Sequence, residues 1–219
     1  MDVILLAAGI GKRAKLNFPK QFYKINGKPF LVYSMEKLLK CKEVTRLLVT
    51  CQTEYMEEYQ RYVEEYDIPN VVYVEGGSTR QESVYNGLQQ VISDKVMIHE
   101  AARPLISEDF IQEVVDTSKS EDAVVPTIPI KFTVSKGGDY MTGELVRNEL
   151  HNIQLPQVFT SSLIKEYHEK AKNDNYIATE DGTLFFHYGG KVRFIEGRES
   201  NIKITTPLDV ELVNKLLKL

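Results

Sequence analysis

The sequence predicts an α/β protein built on a doubly wound, mostly parallel sheet. Three observations carry that prediction. Short apolar runs alternate with amphipathic helical patterns along most of the 219 residues, the alternation that builds βαβ units. The first run, Val3-Ile4-Leu5-Leu6, breaks at once into a turn of small residues, Ala7-Ala8-Gly9-Ile10-Gly11. Residues 131–148 then interrupt the alternation with two strand-like stretches around Lys136-Gly137-Gly138-Asp139, which predicts an inserted β-hairpin. With 42% hydrophobic residues a sizeable core is available, so residues 1–219 read as one domain carrying an arm at 131–148.

Strands are expected at 2–6, 46–51, 71–75, 95–99, 122–126, 152–156 and 192–195, each an apolar run. Helices fill the intervals. The spacing of Phe30, Tyr33, Ser34 and Leu38 predicts one over 29–39. An acidic helix over 53–65 carries Tyr55, Met56, Tyr59 and Val63, and its tyrosines read as a half-buried face. Amphipathic helices follow at 81–91 and 107–118, the second with Ser107 as its cap and Phe110 opening its apolar face. The last two lie at 161–172 and 207–217, where Pro207 suits a first turn. The arm is too polar for a core. It reads either as a solvent-exposed flap or, since an isolated hairpin is marginal alone, as a contact with a second copy of the chain, making a homodimer.

Composition narrows the function. A net charge of -4 excludes a global nucleic-acid-binding surface. Cys41 and Cys51 have no metal-ligand spacing and read as buried free thiols. No apolar stretch reaches membrane-spanning length, and the chain starts in a strand without a basic leader. A cytoplasmic protein with neither membrane nor nucleic-acid partners is expected.

Ligands of doubly wound sheets sit outside the carboxyl ends of the strands, where the first turn lies. Its small residues let backbone N–H groups approach a ligand. Arg13, and Lys20 within Pro19-Lys20-Gln21, are placed to neutralise a polyphosphate, so the turn points to a nucleoside triphosphate. Two standard phosphate loops do not fit. The dinucleotide fingerprint finds Ala14 in its third position, but Lys12, Arg13 and Lys15 crowd the turn. Its ribose-binding acid, due roughly twenty residues on, is missing from Phe30-Leu31-Val32-Tyr33. The Walker A loop fails because Arg13 follows Gly11-Lys12 and the spacer from Gly9 is too short.

Three further segments belong to the same picture. His99-Glu100-Ala101-Ala102-Arg103-Pro104 ends a buried strand, and Glu100 there could hold a divalent cation or a substrate hydroxyl. The plainer reading, a surface pair of Glu100 and Arg103, loses weight beside the first turn. Gly76-Gly77-Ser78-Thr79-Arg80 opens a helix that Ser78 or Thr79 can cap; its N-terminus suits an anion or a base edge, or is simply a capped helix. Lys203, between Ile202 and Ile204, either snorkels or is aimed into a polar site. The four histidines form no metal set, and no nucleophilic triad is present.

Taken in order, Ala7-Ala8-Gly9-Ile10-Gly11-Lys12-Arg13 with Pro19-Lys20-Gln21, Gly76-Gly77 with Arg80 and Ser83, His99 to Pro104, and Asn201-Ile202-Lys203-Ile204-Thr205 resemble the cytidylyltransferases of polyol phosphates. Arg147 and Pro156-Gln157-x-Phe159 add a fifth region. These enzymes act on 2-C-methyl-D-erythritol 4-phosphate or ribitol 5-phosphate and have a Rossmann-like nucleotidyltransferase fold. The resemblance implies in-line attack of the acceptor phosphate on the α-phosphorus of CTP, with Arg13, Lys20 and Lys203 stabilising the charge. It implies nucleotide contacts from Ala7, Ala8, Gly9, Gly11, Gly77, Ser78, Arg80 and Ser83. Acceptor contacts would come from Glu100, Ala101, Arg103, Thr179 and, on the arm, Arg147. Magnesium would bridge the CTP phosphates with help from Glu100.

The chain departs from the family pattern at Glu100, where the family usually has Asp, at Pro129-Ile130, where it has an Asp-Thr pair, and at Leu155, where it has Thr. Lost hydroxyls and carboxylates alter which polyol is held. The departures point to an acceptor that differs from both named substrates or is held differently; a pentitol phosphate such as ribitol 5-phosphate, or a related alditol phosphate, is the acceptor expected. 2-C-Methyl-D-erythritol 4-phosphate is the alternative. UTP in place of CTP, and a non-catalytic nucleotide-binding module, are further alternatives; the retained cations speak against the module.

Overall fold

A computed structural model describes residues 1–9 and 19–217. In chain order the elements are β1 (Asp2–Leu6), β2 (Lys24–Ile25), β3 (Lys28–Pro29), α1 (Phe30–Leu39), β4 (Arg46–Cys51), α2 (Met56–Glu65), β5 (Val71–Glu75), α3 (Arg80–Leu88), β6 (Lys95–Glu100), α4 (Glu108–Ser118), β7 (Ala123–Pro129), β8 (Ser135–Gly137), β9 (Met141–Glu144), β10 (His151–Ile153), β11 (Gln157–Thr160), α5 (Ser161–Asn173), α6 (Asp181–His187), β12 (Arg193–Glu196) and α7 (Pro207–Leu216).

The expected sheet is present. Its order runs β7-β11-β6-β1-β4-β5, with β10 and β12 also paired to β7. Pairings β6-β1, β1-β4, β4-β5 and β7-β12 are parallel, whereas β11 lies antiparallel between β6 and β7. Alternate residues of β1 face opposite sides. Val3 and Leu5 join the core under α1, α2 and α4; Ile4 joins the core under α3, α5 and α6. Each such aliphatic side chain, fully buried, contributes about 1.5–3 kcal/mol. A third cluster seats α7 through Val210 and Val213 on Ile25, Phe30 and Ile204.

Several boundaries differ from expectation for identifiable reasons. The strand expected at 152–156 is two strands, β10 and β11, because Pro156 cannot donate to a ladder; the Leu155–Pro156 peptide is cis. Helix α6 falls where no helix is expected, and it contains Gly182. That glycine allows close packing: a Cβ there would lie 2.8 Å from Val125 Cγ2. Glu180 and Thr183 close a capping box on the same helix. The short β2–β3 hairpin, also not expected, turns on Asn26-Gly27, both with positive φ. Residues 53–55 form a 3-10 turn ahead of α2. Ser107 stands at the cap position of α4 but its side chain makes no cap hydrogen bond. In the arm, strands form at Ser135–Gly137 and Met141–Glu144, closer to the turn than the stretches expected at 132–135 and 144–147, and Arg147 starts a 3-10 turn, Arg147–Glu149. The arm exposes Phe132, Tyr140, Met141 and Val146. Cys41 and Cys51 are buried free thiols, as expected. No described helix is long and apolar enough to cross a membrane.

Candidate active site

A cavity of about 550 Å³ opens at the carboxyl ends of β1, β4, β5 and β6. The sheet sets its geometry. Leu6 pairs with Thr50 and Glu100 across the three central strands. Beyond the ladder, Ala7 N donates to Thr50 Oγ1 (3.1 Å), Ala101 N to Leu6 O (3.1 Å) and Gly76 N to Cys51 O (2.8 Å). The strand ends are thereby held side by side.

One end of the cavity is walled by Ala7, Ala8, Gly9, Gly76, Gly77 and Ser83. Small size is required there: a Cβ on Gly76 would lie 2.3 Å from Ala8 Cβ. Gly77 N donates to Ser83 Oγ (3.0 Å), and Ser83 Oγ donates to Thr79 O. Thr79, not Ser78, caps α3 by accepting from Glu82 N; Ser78 bonds Glu82 instead. This wall of backbone and small side chains suits a flat base.

The other end is charged. Lys20 and Lys203 both line it. Lys203 is presented by a pinned segment, because Ile204 is buried and its N donates to Ala102 O (2.8 Å), while Thr205 is tied to Asp209 at the start of α7. The flanking isoleucines thus anchor Lys203 and turn it into the cavity. Its Nζ lies 2.8 Å from Glu100 Oε1. Lys20 Nζ donates to Ile204 O (2.9 Å), so both lysines rest on one segment.

Glu100 sits among three cations: Lys203, Arg80 at 3.6 Å and Arg103 at 3.8 Å. Burial raises its pKa, but these cations outweigh burial and hold the carboxyl below the usual range. Arg80 continues the network to Glu180 (2.9 Å) and Asp181 (2.8 Å), and Asp181 meets His168 (3.1 Å). Burial opposes the charge of Asp181 too, yet Arg80 brings it down to about 2. Neighbouring His99 is fully buried; burial and then Arg103 push it down to about 3, so it stays neutral.

The structure sorts the expected residues. Ala7, Ala8, Gly9, Lys20, Gly77, Ser78, Arg80, Ser83, Glu100, Ala101 and Lys203 line the cavity. Arg80, expected at the nucleotide, has its guanidinium committed to Asp181, Glu180 and Glu100. Arg103 does not line the cavity; its Nη1 donates to Asn201 O (2.7 Å) behind Glu100. Arg147 and Thr179 are exposed and do not line it either. Of the departures, Leu155 is buried in the core with Phe159 and Leu184, and neither Pro129 nor Ile130 borders the cavity, so only Glu100 bears on it. Gly11 and Arg13 lie outside the described residues. Sequence reasoning missed Gln21, Thr50, Gln52 and Thr205 as cavity residues. Gln21 and Thr205 lie inside motifs already quoted and Gln52 follows the end of β4, which is the signal that could have found them.

Among the described residues no group of three or more His, Cys, Asp or Glu side chains gathers to hold a metal. Glu100 Oε2 is buried without a hydrogen-bond donor. One carboxylate oxygen in that state fits a hard cation whose other ligands are phosphate oxygens and water.

The model of the family "IspD: 2-C-methyl-D-erythritol 4-phosphate cytidylyltransferase" matches residues 1–218. The chain is 34% identical to the 2-C-methyl-D-erythritol 4-phosphate cytidylyltransferase of Geobacillus kaustophilus, over 99% of this chain and 96% of that protein. It is 36% identical to the enzyme of the same name from Clostridium botulinum, over 99% and 97%. Among solved structures it resembles the 4-diphosphocytidyl-2C-methyl-D-erythritol synthase of Anaerococcus prevotii (TM-score 0.87, 28% identity, 100% and 98% covered). It also matches the bifunctional IspDF of Campylobacter jejuni (TM-score 0.82, 27% identity), over 96% of this chain and 53% of that one.

Proposed function

Since the chain belongs to the 2-C-methyl-D-erythritol 4-phosphate cytidylyltransferase family of nucleotidyltransferases, we propose that it transfers CMP from CTP to 2-C-methyl-D-erythritol 4-phosphate and releases pyrophosphate. The observation that carries this reading is the single cavity with a small, backbone-walled end and a two-lysine end facing Glu100. The base lies against Ala7, Ala8, Gly76 and Gly77, with Ser83 beside it. The triphosphate runs toward Lys20 and Lys203; Arg13, outside the described residues, is proposed as a third cation for it. An oxygen of the acceptor phosphate attacks the α-phosphorus; the bond to the bridging oxygen breaks in line and pyrophosphate carries the electron pair away. That nucleophile is already ionised at neutral pH, so the chemistry asks for positioning and charge stabilisation rather than a general base.

Glu100 keeps Lys203 in place and is the carboxylate that would contact a magnesium ion held by the CTP phosphates. Bound there, magnesium supplies charge neutralisation on those phosphates. The arm pairs with a second copy, its exposed Phe132, Tyr140 and Met141 becoming covered, and carries Arg147 toward the partner's acceptor. Residues 1–219 act as one catalytic domain, in the cytoplasm.

Full-length similarity to methylerythritol phosphate enzymes supports that acceptor over the pentitol phosphate suggested by the departures. Two of the three departures sit away from the cavity, which removes most of the ground for a changed acceptor. A competition assay decides it. With CTP and Mg²⁺, methylerythritol phosphate should give the highest kcat/KM among tetritol, pentitol and hexitol phosphates. A higher value for ribitol 5-phosphate overturns the assignment.

A further inference from the structure

Tyr59 lies on α2, an element outside the cavity, yet its hydroxyl joins both ends of the cation-bearing turn. The ring is fully buried and packs edge-on against Phe22, 4.9 Å between centroids. Its Oη donates to Ala7 O (2.8 Å), at the exit from β1, and accepts from Gln21 Nε2 (2.8 Å), the residue after Lys20. Ala7 and Gln21 bracket the segment that holds Arg13 and Lys20. One hydroxyl thus uses its donor and an acceptor site to tie Ala7 to Gln21, two residues of the cavity wall.

We propose that Tyr59 is a positioning residue for the nucleotide: its clasp sets the spacing between the backbone wall at Ala7 and the cation at Lys20. Misplacing a charge by about 1 Å is enough to lose much of its effect on a bound phosphate. The inference rests on reading the span from the Ala7 wall to Lys20 as the CTP site. Buried as it is, the phenol has its pKa pushed up and stays protonated as the donor the clasp needs.

Calorimetric titration of CTP, with steady-state kinetics for both substrates, tests this. Tyr59→Phe keeps the ring and loses the hydroxyl. It should weaken CTP binding about tenfold and leave the acceptor KM within about twofold of wild type. Gln21→Met, opening the clasp from its other side, should do the same, and the double variant should lose less than the product of the two. Tyr62→Phe is the control: it strips a hydroxyl from the same buried face (ring 5.7 Å from Phe22) and should leave CTP affinity unchanged. Wild-type affinity in both Tyr59→Phe and Gln21→Met overturns the proposal. So does an equal loss for both substrates with a lowered Tm, which is what general loosening gives. A wild-type chain that ignores CTP overturns instead the reading of that span on which the proposal rests.

Discussion

Lys20 and Lys203 reach the cavity from chain positions far apart, and both rest on the segment around Ile204. If they stabilise the charge that develops on the phosphates, removing one costs rate rather than fold. Lys20→Ala should lower kcat by about 10²–10³-fold, the usual loss for one charge-stabilising donor, with Tm little changed. A kcat within tenfold of wild type would remove Lys20 from the chemistry. At the opposite end of β1, Asp2 is buried and bound by Arg46 (2.7 Å) and by the Ile92 and Ser93 N–H groups. Burial works against its charge, but these partners lower its pKa from 3.8 to about 2. Because the folded value lies below the unfolded one, this stabilisation is complete above about pH 4 and is lost as pH falls toward 2. It is on the order of 2 kcal/mol at neutral pH. Asp2→Asn should therefore lower stability at neutral pH and flatten the acid limb of the denaturation midpoint; an unchanged acid limb refutes this.

The turns after the strands line much of the cavity, and hydrogen bonds there join one strand end to its neighbour. Gly76 leaves β5 with a hydrogen bond to Cys51 O and no room for a side chain, since a Cβ would meet Ala8 Cβ at 2.3 Å. Neither atom is the free end of a flexible chain, so Gly76→Ala must push two walls of the cavity apart. We expect the KM for CTP to rise about tenfold or more, the acceptor KM to stay, and the melting temperature to fall modestly. An unaltered KM for CTP would show that the base sits elsewhere. Periodicity read β1, β4, β5 and β6 and most helices well, because buried strands and amphipathic helices announce themselves in apolar spacing. It failed where one residue decides the outcome. Pro156 splits a strand, and Gly182 allows a helix by fitting against Val125. Tyr59, read as part of a half-buried face, works through a hydroxyl that no periodicity reports.

At the scale of the whole molecule, the sheet order brings Ala7, Gly76 and Glu100 into one cavity from three separate stretches of chain. That convergence was legible, because ordered motifs at strand ends imply a shared edge. The roles of individual cations were less so. Sequence places Arg80 and Arg103 near a ligand, but only three-dimensional packing shows Arg80 spent on Asp181 and Glu180 and Arg103 on Asn201. Likewise Leu155 counts as a lost hydroxyl in sequence and as a core residue in the fold. The arm and its exposed aromatics belong to this scale as well. Deleting residues 133–145 should convert a dimer into monomers in sedimentation velocity and remove activity with it; a surviving dimer refutes the arm as the contact.

The central claim is direct CMP transfer to methylerythritol phosphate in one cavity. Its sharpest test is ³¹P NMR of the purified protein with CTP, Mg²⁺ and 2-C-methyl-D-erythritol 4-phosphate. New diphosphate-ester resonances should appear in equal amount with pyrophosphate, and no pyrophosphate when the acceptor is omitted. Stoichiometric pyrophosphate release without acceptor, or no diphosphate ester with it, would rule out direct CMP transfer to this acceptor.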